Sequence, residues 1–472
     1  MSEANGFDQP NGESGSTADK GGHHPGYTGR FLISFEPGTG AQAAGLLKNK
    51  AGVSALSARD AGSEADPSQN LIFEEIGAAV VSAVPDQHRQ LMAAAADSSV
   101  PIRLIEPERV VWAAMLNGGL AHGSSRVSSL PPPADALPGP RLLPPSLPPS
   151  GGLSADFLRG YTAALQGLLS SAEPSAASPL FRAPDLGLEL AATSATWGLQ
   201  VTRVSLATQS GHGIRVAVLD TGMDLHHPDF TGRNITSRSF ITGEAVQDGH
   251  GHGTHCIGIS CGPRSPNGVQ RYGVAYGAEI FVGKVLSNAG SGADGGILAG
   301  INWAVQNKCQ IVSMSLGSPV AAGATFSQTY QNAARIAEQK GTLIVAAAGN
   351  ESHRPAMVAP VGHPANCPTI LAVGALDSNL QVAPFSCGGV SGDGGEVNIA
   401  APGVNVFSSW PMPLRYNTIS GTSMATPCVA GILALYAEAT GLRGLALANF
   451  VLKKSKYLGS VRDFGWGLLQ AV

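Results

Sequence analysis

In the second half of the chain, short near-continuous apolar runs alternate with longer stretches whose apolar positions recur at helical spacing. "GIRVAVLDTG", "AEIFVGKVL", "CQIVSMSLG", "GTLIVAAAGN" and "PTILAVGAL" predict strands, and "GGILAGINWAVQNK", "FSQTYQNAARIAEQK" and "TSMATPCVAGILALYAEATG" predict helices. Strands that are apolar on both faces, separated by helices, predict an α/β domain with a parallel sheet covered on both sides. In such sheets chemistry gathers in the loops at the carboxyl ends of the strands.

Nearer the N-terminus the pattern is smaller in scale. "GRFLISFEPG" predicts a strand, "GAQAAGLLKNKAG" a helix, "NLIFEEIGAAVVSAV" two strands around a turn, "DQHRQLMAAAAD" a helix and "IRLIEPERVVWAA" a last strand. That order predicts a small ferredoxin-like α+β domain, with a helix pair on one face of an antiparallel sheet. Between the two patterned regions, nine prolines within positions 131 to 149 exclude helix or sheet and predict an extended tether. Behind it Leu153, Phe157, Tyr161, Leu165 and Leu168 recur at the spacing of a short amphipathic helix. Residues 1–27 carry too few apolar side chains to fold. The chain divides into a disordered 1–27, an α+β domain 28–116, a linker 117–195 and an α/β domain 196–472.

Composition narrows the function classes. A hydrophobic share of 43% over 472 residues supports a large core, and a formal charge of −4 with no basic run gives no electrostatic footing for nucleic acid. No apolar run approaches the roughly 18 residues of a membrane span, so no membrane partner is expected. The polar, Gly-rich start lacks the basic and apolar regions of a signal peptide. A cytoplasmic location is the expectation, with secretion by a non-classical route as the alternative. The six cysteines show no CxxC spacing and are expected as free, buried thiols.

Candidate chemistry starts at "GHGHGTH", which places His250, His252 and His255 together. Imidazole both ligates metals and moves protons near neutral pH, so residue type alone does not choose. A metal hydrolase built on all three would need a carboxylate in helical register, as in HExxH, and Gly251 and Gly253 make a poor ligand platform. Other polar residues stand where the sheet architecture places chemistry. Asp220 follows the run "RVAVL", Asn350 follows "LIVAAAG", and Ser423 in "SGTSMATP" opens an apolar helix. Singly each reads as a turn or cap residue. Together they supply a nucleophile, a base, a carboxylate to orient the base and a donor for an oxyanion.

The order Asp, His, Ser, with "DTG", "HGTHCIG" and "GTSMATP" around them, resembles the subtilisin-like serine proteases (subtilases) from about Thr196 to the C-terminus. Cys256 after "HGTH" is similar to the cysteine-containing branch that includes proteinase K and thermitase. The resemblance implies a subtilisin-like fold and a serine endopeptidase acting through an acyl-enzyme on protein or peptide substrates. It assigns Asp220 as orienting carboxylate, His252 as base, Ser423 as nucleophile, and Asn350 with the Ser423 N–H as oxyanion donors. Gly290, Ser291 and Gly292, and Ser315, Leu316 and Gly317, match the segments that pair with an extended substrate. Asp229 in "HPD" matches a calcium ligand, which implies a structural calcium, while the chemistry requires no cofactor.

By the same resemblance the N-terminal α+β domain is an inhibitory propeptide, a folding aid and intramolecular inhibitor. The implied first self-cleavage lies around Ala113 to Leu116, with a second cut admissible within 117–195. His255 is expected to pack one turn along from His252, His250 to face solvent, and Cys428 to be a core contact where the family commonly has histidine. The alternative is a protease-like binding or chaperone module that keeps its prodomain docked and turns over little; the intact triad argues against it.

Overall fold

The computed structural model describes residues 26–60, 69–114, 195–391 and 394–471. The proline-rich linker with its amphipathic helix, and all but the end of the N-terminal tail, lie outside the described residues.

The N-terminal module runs β1 (Tyr27–Phe35), α1 (Ala43–Ala51), β2 (Leu56–Ser57), β3 (Leu71–Phe73), β4 (Ala78–Val81), α2 (Pro85–Ala96) and β5 (Ile102–Ala113). Its strands lie in the order β5-β1-β4-β3-β2, antiparallel except for the short β2 beside β3. This is the expected split arrangement plus one small edge strand. Alternation along the strands gives the sheet two apolar faces. Ile33, Phe35, Ile72 and Val81 pack under the module's own helices with Leu47 and Leu91. Leu32, Leu71, Phe73 and Val80 join a cluster with Ile297, Ile301 and Tyr330 of the following domain. Each such fully buried side chain contributes roughly 1.5–3 kcal/mol. The second face therefore buries as much as the whole net stability of a small domain, about 5–15 kcal/mol.

The larger domain opens with α3 (Trp197–Val201) and continues through β6 (Arg215–Asp220), β7 (Ile235–Ser239), α4 (His252–Cys261), β8 (Glu279–Lys284), β9 (Ser291–Ala293) and α5 (Asp294–Gln306). After these come β10 (Ile311–Met314), β11 (Leu316–Gly317), α6 (Gln328–Gln339), β12 (Leu343–Ala347), β13 (Leu371–Leu376), β14 (Ile399–Pro402), the hairpin β15 (Val406–Ser409) and β16 (Tyr416–Ile419), α7 (Thr422–Thr440) and α8 (Gly444–Leu452). Seven strands form the expected parallel sheet in the order β14-β13-β12-β10-β6-β8-β7. Successive strand residues go to opposite faces: Val216, Val218 and Val345 pack with α4 and α7, and Ala217, Leu219 and Ala346 with α5 and α6. β7 and β14 have no match among the strands expected from apolar runs. β7, "ITSRS", is an edge strand with little buried surface, and β14 ends on a proline at the other edge.

Three neighbouring strands, β12, β10 and β6, end side by side, so their carboxyl-end loops converge. The buried apolar helix α7 begins at the same place. Two glycines permit the close fit. Gly222 has φ +102°, and a Cβ on Gly253 would lie 2.2 Å from the Gly222 carbonyl oxygen. The glycines of "DTG" and "HGTH" thus let the start of α4 press against the end of β6.

Candidate active site

Asp220, at the end of β6, accepts a 2.7 Å hydrogen bond from Nδ1 of His252, the first residue of α4. Both side chains are buried. The same oxygen accepts from the Thr221 N–H at 2.7 Å. Burial by itself lowers the basicity of His252, but the Asp220 carboxylate, with Cys256, holds its pKa well above the ordinary value of 6.5. With Nδ1 on Asp220, Nε2 is the ring nitrogen left to exchange a proton, and it has no hydrogen-bond partner.

Ser423 sits in the first turn of α7. Pro427 lacks the N–H that would bond the Ser423 carbonyl four residues back, so that carbonyl accepts instead from Ser315 Oγ at 2.8 Å and Cys256 Sγ at 3.5 Å. The proline of "GTSMATP" thereby ties the helix start to the ends of β10 and α4. The Ser423 hydroxyl donates to the Ala114 carbonyl and lies 3.1 Å from the Ser315 carbonyl. Asn350, after β12, accepts at Oδ1 from the N–H and the hydroxyl of Thr422, both at 2.9 Å. This fixes the amide so that its buried Nδ2 donor is left without a partner. Cys256 links the two halves of the site, its Sγ lying 4.0 Å from His252 Nδ1 and 3.5 Å from the Ser423 carbonyl.

The strand lying in this site is the chain's own. β5 pairs antiparallel with β9 through Val110, Val111 and Trp112, and with β11 through Trp112 and Ala113. The ladder continues through the Ala113 N–H to the Gly290 carbonyl at 2.9 Å and the Ala114 N–H to the Ser315 carbonyl at 3.2 Å. Gly290 to Gly292 and Ser315 to Gly317 therefore flank one extended strand, as the resemblance implies for a substrate. Two carboxylates of β5 anchor it further. Glu106 accepts from the Ser327 hydroxyl at 2.8 Å and from the N–H groups of Gln328 and Thr329 at the start of α6. Glu108 accepts from the Gly295 N–H of α5 at 2.9 Å and from Thr28. Both satisfy free N–H groups at helix N-termini. Beside Ala114 a cavity of about 250 Å³ opens between Gly317, Ala347, Gly349, Glu351, Gly362 and His363.

The three histidines of "GHGHGTH" do not converge on one point. His255 points its Nε2 at the carbonyls of Val406 and Asn417, and burial, with His252 nearby, lowers its pKa to about 3, so it is a neutral packing residue. His250 does not face solvent. Asp248 accepts the N–H groups of His250 and Gly251 at 2.9 and 2.8 Å, and this tight turn folds the imidazole half-buried beside His252, with ring centroids 6.2 Å apart. Burial, and then His252, lower its pKa. Among the described residues, the one group of three side chains that could share an ion is Asp220, His252 and Cys256. All six cysteines are free and buried, and Cys428 packs within the core of α7.

Asp229 does not fit the calcium role that the resemblance implies. Its oxygens accept from the Tyr272 hydroxyl at 2.6 Å, the Tyr416 hydroxyl at 3.1 and 3.3 Å and the Asn267 N–H at 3.3 Å. Phenols and an amide N–H donate to a carboxylate; they do not complete the oxygen cage that calcium takes.

Several further residues build the site. Thr422, within "GTSMATP", aims Asn350. Asp248 caps α4 through the N–H and hydroxyl of Thr254 at 2.9 and 2.7 Å. Asp248 lies three residues ahead of the N-cap Gly251, outside the position where a capping signal is read, so the sequence did not mark it. Nor did it mark Asp294 and His363, which meet at 2.8 Å.

Residues 211–467 match the family model described as the subtilase family. Subtilisin Savinase of Lederbergia lenta is 38% identical over 285 residues, covering 59% of this chain and 98% of its own. Subtilisin E of Bacillus subtilis (strain 168) is 36% identical over 284 residues, covering 59% and 70%. Among solved structures, sphericase aligns with a TM-score of 0.51 at 32% identity, over 58% of this chain and 97% of its own. The chain belongs to the subtilase family, and its activity is that of a serine endopeptidase.

Proposed function

We propose that this serine endopeptidase works through Ser423, His252 and Asp220, and that it is made as a self-processing precursor first cut between Ala114 and Met115. The observation that carries this reading is the Ala114 carbonyl on the Ser423 hydroxyl, at the end of a strand held between β9 and β11.

In this mechanism Ser423 Oγ attacks the Ala114 carbonyl carbon as His252 Nε2 takes the hydroxyl proton. Asp220 holds the imidazole by Nδ1 and stabilises the imidazolium. The oxyanion accepts from Asn350 Nδ2 and the Ser423 N–H. His252 returns the proton to the Met115 nitrogen as the C–N bond breaks. Water, deprotonated by the same imidazole, then frees Ala114 from the acyl-enzyme. The N-terminal module stays in the cleft as an inhibitor because β5 keeps its pairing and its two helix-capping carboxylates. Protein or peptide segments that reach the same extended form are the substrates in trans.

The test is to express the full chain and Ser423→Ala in parallel. The unaltered chain should split into two fragments, the larger beginning Met-Leu-Asn, while the variant stays whole. Equal persistence of both full-length chains, with neither cleaving added peptides, would support a retained-prodomain binding module instead.

A further inference from the structure

β9 ends at Ala293 and α5 begins at Asp294, and this junction poses a problem for any strand paired alongside. A helix N-terminus offers backbone donors but no free backbone acceptors. The amide six residues before the scissile position, that of Arg109, falls opposite this junction. Its N–H is satisfied by a side chain: Oδ2 of Asp294 accepts it at 2.9 Å. The other oxygen, Oδ1, is held by Nε2 of His363 at 2.8 Å. The edge of Tyr330 meets the His363 ring at a centroid distance of 4.7 Å, and the Tyr330 hydroxyl donates to the Asp294 carbonyl at 3.1 Å. Asp294 and His363 are buried to 0% and 1% exposure. The acceptor is thus fixed by the catalytic domain's own side chains, and β5 supplies only the N–H.

We propose that Asp294, positioned by His363, is a sixth upstream subsite of the cleft and receives the backbone N–H of the substrate residue six positions before the cleaved bond. It extends the ladder one residue past the point where β9 runs out of acceptors. The preferred substrate class is an extended segment with at least six residues upstream of the cut and no proline at the sixth. Because the acceptor is a carboxylate, the bond is charge-assisted and stronger than a neutral pair. The inference rests on reading Ala114 as the residue before the scissile bond.

The test uses the self-processed protein after the cleaved N-terminal module has been separated from it, and two chromogenic peptides, acetyl-Arg-Val-Val-Trp-Ala-Ala p-nitroanilide and its twin N-methylated on the arginine nitrogen. The two differ by one N–H at the sixth position. The unmethylated peptide should be cleaved with a kcat/KM about tenfold higher, chiefly through KM. Asp294→Ala should abolish that difference by slowing only the unmethylated peptide, and Asp294→Asn, which keeps an acceptor oxygen, should restore part of it. Equal cleavage of the twins by the unaltered protein would overturn the proposal without poor folding of a variant entering the comparison. An equal loss on both peptides in Asp294→Ala would also overturn it, since that marks a purely structural residue. Failure to cleave either peptide would overturn the serine-nucleophile reading beneath it, and the proposal with it.

Discussion

Thr422 holds Asn350 by its carbonyl oxygen, which leaves the amide NH₂ aimed into the site before any charge develops. Preorganised donors of this kind are worth most in the transition state. Asn350→Ala should slow turnover by roughly 100- to 1000-fold with little change in KM, as read from steady-state kinetics on a peptide amide. His252 gives a pH prediction with a definite sign. Burial lowers its basicity, but Asp220 and Cys256 raise its pKa well above 6.5 while the cleft is filled by β5. The base works only when neutral, so self-cleavage should rise with pH along a one-proton curve whose midpoint lies above 6.5. A pH-jump series followed by gel would show it, and a midpoint below 6.5 would contradict the Asp220 coupling. Asp220, His252, Asn350 and Ser423 were legible because each sits in a local motif at a strand end or helix start. Asp294 and His363 lie 69 residues apart and meet where the start of α5 touches a loop, so no local pattern marks them.

At the scale of elements, β5 is a strand of one domain and a guest of the other. Its N-terminal part pairs with β1, and its C-terminal part enters the slot between β9 and β11. The apolar run "ERVVWAA" revealed a strand, but a run of that kind does not say which edges it will join. Ala113→Pro should test the pairing directly. It removes the N–H that bonds the Gly290 carbonyl and should slow self-cleavage by about tenfold or more, measured as the half-life of the full-length chain. The strands β6, β8, β10, β12 and β13 were readable as buried runs. β7 was not, because this edge strand buries little and needs no continuous apolar stretch, and β14, though buried, is only four residues long and ends on a proline.

For the whole molecule, the tyrosine cluster at Asp229 has a thermodynamic consequence. The Tyr272 and Tyr416 hydroxyls donate to the carboxylate that the resemblance implies as a calcium ligand, so its oxygens are taken up by protein donors. EDTA should therefore leave the melting temperature of the Ser423→Ala full chain unchanged within about 2 °C, as followed by calorimetry. A large fall would show a bound cation stabilising the fold. Apolar periodicity, cap signals and the motifs at strand ends were sufficient by themselves for the α/β class, the α+β module ahead of it and four residues of the site. These are local properties, written within a few residues of each other. The tertiary structure alone decided that Ala114 lies on Ser423, that Asn350 is aimed by Thr422, that His250 turns inward, and that Asp229 meets two phenols. Each depends on the distance between segments far apart in the chain, which packing fixes and local pattern does not.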